Sequence, residues 1–394
     1  MILRALKWLG GALLLVLLGL ASWDVATYDR KAWASDFERL KRDMAQGYAN
    51  LDWVAQHRGV DLQRLSTDTA RDLDSAHSRV LAWFALKRFI DRFNDPHLRV
   101  EDREGGASGH FVSSLADGSP TGGADCSSAG YEDEQHDFEF PFARLPGWRS
   151  LGGGSFPTGI AGTTGVIRIA QFGENKYLPV CERAFRPGLS DRGLQLATRR
   201  VLQQELRAGI AGLRQAGARR VLVDLTGNGG GSEWVDEVIA LFTARALTRQ
   251  APRLVGPACD RAQVWEGRPP PCSVFRRAPP EPVRLRGTGE WAGSLLVLTD
   301  RDTASASENF VAWIKDGGAG RILGARTAGA GCGYSDGGTR TPLTVRPVDV
   351  RMPNCARFMK DGTNEIEGIA PHIELPMDER EKAAEALARL LSAR

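Results

Sequence analysis

The 394-residue sequence has almost no charge imbalance, with 51 Lys and Arg against 48 Asp and Glu, a formal charge of +3. No basic residues cluster into a run or face, so the electrostatic footprint of a nucleic-acid binder is missing. The chain also lacks metal-ligand spacing. No two of its six cysteines form a C-x-x-C pair, none sits beside a histidine at ligand spacing, and H-E-x-x-H occurs nowhere. Zinc, dithiol redox chemistry and metalloprotease activity are therefore unsupported, and no metal or cofactor is expected. Nor does it have the composition of a disordered chain. Hydrophobic residues make up 42% and charged residues 25%, the ordinary globular balance, and the length suits a main domain plus at least one smaller unit.

At the N-terminus, Arg4 and Lys7 precede an uncharged, Leu-rich run from Trp8 to Trp23. The run is somewhat short against the roughly 20 residues of a full span, and fits a signal-peptide core or an uncleaved anchor. It has no convincing small-x-small cleavage site and no lipobox Cys, which favours the anchor. The basic flank would keep this end in the cytoplasm and place the rest in the periplasm, held at the inner membrane, or secreted if the segment is cut. All six cysteines (Cys126, Cys181, Cys259, Cys272, Cys332, Cys355) lie beyond residues 1–23, and an even count in an oxidising compartment reads as disulfides. Cys259 with Cys272 and Cys332 with Cys355 are the expected pairs, because each closes a short loop.

From Trp33 to about Phe93, apolar residues recur at helical spacing (Phe37, Leu40, Met44; Val80, Trp83, Phe84, Leu86, Phe89, Ile90), predicting a helical subdomain over 30–100. It stops at Asn94-Asp95-Pro96, which delivers His97 to a loop or strand start. Residues 101–163 are rich in Gly, Ser and Pro, a loop-rich linker or small subdomain with short strands around Phe138–Phe142. Residues 164–394 form the expected core. Strands are predicted over Gly165–Ala170, Arg220–Leu225, Ser294–Thr299 and Arg321–Leu323, with helices over Leu194–Ala216, Glu233–Ala246, Ser305–Asp316 and Asp378–Leu391. Strand, helix, strand implies parallel pairing in an α/β fold. Residues 251–290, Pro- and Arg-rich, read as an irregular excursion.

Two small-residue turns follow apolar strands, Asp224-Leu-Thr-Gly-Asn-Gly-Gly-Gly-Ser232 and Thr299-Asp-Arg-Asp-Thr-Ala-Ser-Ala-Ser-Glu308. Each delivers backbone to a helix start, whose free N–H groups suit a phosphate or the oxyanion of an acyl-transfer intermediate. Gly227–Ser232 contains no Lys, which removes a P-loop, and the spacing fails the dinucleotide fingerprint. The physics alone leaves anion binding and a merely tight strand-to-helix turn both open.

In order and spacing these turns, with Thr327-Ala-Gly-Ala-Gly331 and Gly368-Ile-Ala-Pro-His372, resemble peptidase family S41, the carboxy-terminal processing, tricorn-core and retinoid-binding-protein-like serine peptidases. The resemblance covers roughly residues 164–376 and implies a ClpP/crotonase-like spiral core with the N-terminal helical subdomain beside it. It places the nucleophile on Ser305, the first serine of Ser-Ala-Ser, and the oxyanion donors on the backbone N–H groups of Gly230 or Gly229 and of Ala306. An ordinary N-cap hydroxyl is the plain alternative for Ser305. Where well-known members carry a Lys base, this chain has Ala330, so a Ser-Lys dyad of that form is absent. Asp95-Pro-His-Leu98 resembles the His motif of the tricorn-like branch and makes His97 the general base. Glu365 is then the carboxylate that orients it, with Glu367 as the fallback. Glu308 reads as a first-turn charge complementing the helix dipole, and His372 stands where the family shows Asp.

Gly333-Tyr-Ser-Asp-Gly337 satisfies G-x-S-x-G, but Gly-Gly-Thr-Arg-Thr-Pro follows and cannot continue as the helix that a nucleophile elbow needs. The resulting reading is an extracytoplasmic serine endopeptidase that acts on a peptide or protein substrate through a Ser305 acyl-enzyme. No peptide-binding module is evident. The rival is a non-proteolytic binding protein for an apolar ligand or peptide on the same scaffold, and hydrolysis of a non-peptide acyl substrate by the same triad is a third possibility.

Overall fold

The computed structural model describes residues 15–103, 125–256, 259–276 and 281–392. They fall into two compact units, each assembled from separated stretches of chain. One comprises Met1–Gly105, Val255–Arg277 and Gly338–Asn354; the other comprises Gly106–Leu254, Ala278–Gly337 and Cys355–Arg394.

The first unit contains the predicted helices: α1 (Arg30–Gly47), α2 (Leu51–His57), α3 (Leu62–Ser75) and α4 (Arg79–Asp91). Three of them start on a side-chain cap, with Asp29, Asp61 and Ser78 accepting first-turn N–H groups, an arrangement that satisfies otherwise orphaned donors. Trp33, Phe37, Leu40 and Met44 form the buried stripe of α1, and Phe37 meets Phe89 of α4 edge-on at 5.0 Å. The later segments join this core through polar anchors. The fully buried Arg261 donates to the carbonyls of Ala45 and Tyr48, each at 2.8 Å, where the end of α1 leaves carbonyls unpaired. Arg99–Asp102 pairs antiparallel with Val348–Met352, which pairs with Thr339–Pro342.

Residues 8–14 of the apolar N-terminal run lie outside the described residues. Residues 15–26 are helical, but no described helix is long and apolar enough to cross a membrane, so the expected anchor gains no support from the fold.

The second unit is built on a seven-stranded mixed sheet of β1 (Trp148–Gly152), β2 (Thr158–Ala161), β3 (Thr164–Arg168), β4 (Arg220–Asp224), β5 (Ser294–Thr299), β6 (Arg321–Gly324) and β7 (Ile373–Glu374), in the order β7-β6-β5-β4-β3-β2-β1. Strands β3 to β7 run parallel, and β1 and β2 are added antiparallel. The helices of this unit are α5 (Leu178–Ala184), α6 (Asp191–Gln215), α7 (Trp234–Leu241), α8 (Ala306–Asp316) and α9 (Arg380–Ser392). Alternation along the strands divides the core. Val221, Val223, Leu295 and Val297 pack with Leu206 and Ile210 of α6 and with Phe310 and Ile314 of α8. Leu222, Leu296 and Leu298 share a second cluster with Phe140, Phe142 and Leu387 of α9. Each such buried side chain contributes about 1.5–3 kcal/mol.

The strands predicted over 165–170, 220–225, 294–299 and 321–323 are present within a few residues of their expected limits. The strand expected at Phe138–Phe142 is not. Those residues form an aromatic cluster, with Phe138 5.2 Å from Phe142 and 5.5 Å from Trp148, followed by a short 3-10 turn at Phe142–Arg144. The strands of this region are β1 and β2 instead. Cysteines pair as Cys259–Cys272 and Cys332–Cys355, as expected, and as Cys126–Cys181.

Candidate active site

The neighbouring parallel strands β4, β5 and β6 all end on the same side of the sheet, and the three motif turns leave from those ends, where open α/β sheets place their sites. In the first turn, the buried Asp224 accepts from Thr226 N at 3.0 Å and Thr226 Oγ1 at 2.8 Å. Asn228 then links three segments: its Nδ2 donates to Ile169 O at 2.9 Å, its Oδ1 accepts from Gly230 N at 2.9 Å, and its carbonyl accepts from Ala304 N at 2.9 Å. The Gly227 N–H donates to the Asp300 carboxylate at 3.0 Å. The Asp-x-x-x-Asn-x-Gly-Gly spacing thus ties the β4 turn to the β5 turn. Gly230, at φ 109°, lies so close that an added Cβ would come within 2.8 Å of Ser305 Cβ, which excludes any side chain there.

Ser305 occupies the N-cap of α8 with φ 55° and ψ −110°. A non-glycine residue in this region carries strain of about 1–3 kcal/mol and persists only where its surroundings enforce it. They do so at both peptide groups. The Ser305 N–H donates to Glu308 Oε2 at 2.9 Å, while its carbonyl accepts from Asn309 N at 3.1 Å and from Arg357 Nη2 at 2.8 Å.

Glu308 is fully buried and receives five donors. Besides Ser305 N, it takes Thr327 Oγ1 and Gly329 N, both at 2.7 Å, Ala330 N at 2.9 Å and Gly331 N at 3.0 Å. Its carboxylate organises the Thr327–Gly331 turn and is committed to that work. Ala330, in the Lys position of relatives, is buried.

Glu365 is also fully buried, on a 3-10 turn at Glu365–Glu367. Arg249 pairs with one of its oxygens and Arg357 Nε with the other at 2.6 Å. Burial pushes this carboxyl up, but the Arg357 and Arg249 guanidiniums outweigh it and hold it below the usual carboxylate range. Arg249 further donates to Asn309 Oδ1 at 2.8 Å, in the first turn of α8. Neither arginine was singled out from the sequence, because an isolated Arg far along the chain carries no local signal of its partner. A cavity of about 500 Å³ lies beside this network, lined among others by Asp236, Arg249, Arg284, Asn309, Trp313 and Arg357.

His97 belongs to the other unit, half-buried on the turn that follows α4 and precedes Arg99–Asp102. Its N–H donates to Asp95 Oδ1 at 3.0 Å, and Asp95 Oδ2 accepts from Tyr48 Oη at 2.9 Å and Asn50 Nδ2 at 3.0 Å. Of the expected oxyanion donors, Gly230 has its N–H engaged by Asn228, whereas the Gly229 and Ala306 amides have no partner among the described residues.

Other histidines have structural settings. His57 stacks on Trp53 at 3.7 Å, His136 stacks on Tyr177 at 4.2 Å, and His372 Nδ1 accepts from Ile322 N at 2.9 Å. Gly333–Gly337 lies in neither strand nor helix, as its flanking residues predict. Among the described residues no group of three or more His, Cys, Asp or Glu is placed to hold a metal ion.

Residues 163–375 match the profile of peptidase family S41. The fold is similar to mature CPAF complexed with lactacystin, at 15% identity and a TM-score of 0.63 over 92% of this chain and 97% of that one. It is similar as well to a peptidase from Parabacteroides merdae, at 15% identity and a TM-score of 0.58 over 93% and 98% of the two chains. Comparison with curated protein sequences gives no match.

Proposed function

The chain belongs to peptidase family S41 and is a serine-type peptidase, and from that premise we propose that it is an extracytoplasmic endopeptidase whose nucleophile is Ser305 and whose general base is His97. The observation that carries this reading is the enforced left-handed backbone of Ser305 at the start of α8. A strained strand-to-helix turn is the setting in which other serine nucleophiles are presented, and here Ser305 and Glu308 also complete a capping box at the start of α8.

In the proposed reaction His97 takes the Ser305 proton as Oγ attacks a peptide carbonyl, and returns it to the leaving amine. The Ala306 and Gly229 N–H groups receive the oxyanion, since Gly230 is occupied by Asn228. Water then releases the acyl group by the same route in reverse. Glu365 and Glu367 are the carboxylates within reach of the family pattern, and of the two Glu365 has both oxygens engaged by guanidiniums. The cavity beside α8 is proposed to take substrate residues next to the scissile bond. Three disulfides using all six cysteines fit an oxidising compartment.

The test is hydrolysis of an unfolded protein such as casein by the fragment from Ala26 onward. Wild type is expected to cut, Ser305→Ala and His97→Ala to lose about a thousandfold or more in kcat/KM, and a fluorophosphonate to label wild type on Ser305. A Ser305→Ala variant as active as wild type would end this reading. So would wild type that neither cuts nor is labelled.

A further inference from the structure

Ser305 and Gly331 are joined by two side chains of opposite charge. Glu308 accepts the N–H of both, at 2.9 and 3.0 Å. Arg357 donates to the carbonyl of both, through Nη2 at 2.8 and 2.7 Å. Both residues have left-handed backbone, φ 55° at Ser305 and 63° at Gly331. The peptide group on each side of the strain is thus held by a charged side chain, and at the Ser305 carbonyl this adds to the helical bond from Asn309 N at 3.1 Å. Arg357 is in turn oriented by Glu365 through Nε at 2.6 Å, and Arg249 reaches from the same Glu365 to Asn309, whose own N–H bonds the Ser305 carbonyl.

From this geometry we propose that Arg357 is a positioning residue of the peptidase, holding the Ser305 carbonyl and so the direction of its hydroxyl, and that Glu365 works through Arg357 instead of through His97. The inference rests on Ser305 being the nucleophile. A carboxylate saturated by two guanidiniums carries its charge into that network, and an imidazolium gains less from it than from an unpaired acid. The planar fork matters because a single Arg nitrogen serves two carbonyls while Nε holds the acid, which Lys cannot reproduce. A nucleophile displaced by about 1 Å loses about a hundredfold in rate, and this sets the expected effect.

The experiment compares Arg357→Met, Arg357→Lys, Glu365→Gln and the Arg357→Met/Glu365→Gln double variant in the full-length chain, with Ser305→Ala as reference. Steady-state kinetics are measured across pH 5–9, with the rate of fluorophosphonate labelling alongside. Arg357→Met is expected to lower kcat and the labelling rate by about a hundredfold with KM little changed, and Arg357→Lys to recover part of it. Glu365→Gln should lower kcat by about tenfold, and the double variant should be no slower than Arg357→Met, as for residues acting in one chain. The acid limb of kcat/KM, which reports the base, should stay where wild type has it. Glu365→Gln shifting that limb to higher or lower pH would make Glu365 the partner of His97 and overturn the proposal, as would multiplicative losses in the double variant. Wild-type labelling rates in folded Arg357→Met, with Ser305→Ala inactive, would refute the positioning role while leaving Ser305 as nucleophile. Circular dichroism and the denaturation midpoint separate loss of fold from loss of position, and Arg357→Lys keeps the test open if Arg357→Met does not fold.

Discussion

The turn carrying His97 and the turn carrying Ser305 are both organised by buried acids, but by different chemistry. At 94–98, Asp95 gathers three neutral donors, Tyr48 Oη, Asn50 Nδ2 and the His97 N–H, and the backbone departs from ordinary geometry only at Asn94, φ 47°. At 304–308 and 327–331, Glu308 gathers five neutral donors, and a second acid, Glu365, adds two guanidiniums behind them. The histidine's turn is held by Asp95 reaching residues 45 and 47 positions earlier and by one guanidinium, Arg58, which donates to the carbonyls of Phe93 and Asn94 at 2.8 Å. The serine's turn carries more charge, two buried acids and two guanidiniums around a strained residue, and strain persists where surrounding interactions over-determine it.

That contrast predicts unequal losses. The largest effect is expected from Glu308→Gln, whose amide can accept from only some of the five donors and turns its own N–H groups towards the rest. About 3–5 kcal/mol of stability should disappear, read as a fall in the urea midpoint with the slope unchanged. Asp95→Asn should cost less, about 1–3 kcal/mol, because three partners are affected and one N–H can be turned away. Equal losses in the two variants would show that the turns are held alike.

The smallest effect concerns pH. The Glu365 carboxyl in the folded chain titrates below its usual range. Its contribution to stability is therefore complete above the ordinary carboxylate value and is lost as pH falls through the lower, folded value. Wild type should lose thermal stability more steeply than Glu365→Gln as pH is lowered from about 5 towards 3, and parallel curves in a melting series would show that the two guanidiniums do not hold that carboxyl down.

Much of the second unit could be read from the sequence because its signals are local. The runs Arg220–Asp224 and Ser294–Thr299 are unbroken and apolar between turn residues, and the Asp224–Ser232 and Thr299–Glu308 turns carry their own spacing. The disulfides that close short loops were legible for the same reason. What escaped was long-range or weakly patterned. Strands β1 and β2 flank Gly152-Gly153-Gly154 and include Gly159, which dilutes any alternation. The pairing of Arg99–Asp102 with Val348–Met352 joins residues some 250 positions apart. In the site, Ser305 carries its own local pattern, whereas Glu308, read as a first-turn charge, is buried against the Thr327–Gly331 turn, and Arg249 and Arg357 meet Glu365 only once the chain has folded. Charged residues are usually solvated, so sequence alone gives no reason to bury these two.

The Cys332–Cys355 bridge begins one residue after Gly331 and ends two residues before Arg357. It therefore ties together the two stretches of backbone that the arginine spans. With the thiols reduced, the side-chain link between these stretches is the Arg357 hydrogen bond to the Gly331 carbonyl at 2.7 Å. Reducing that one bridge is therefore a way to loosen the Arg357 contact with Gly331 while leaving every side chain of the network unchanged.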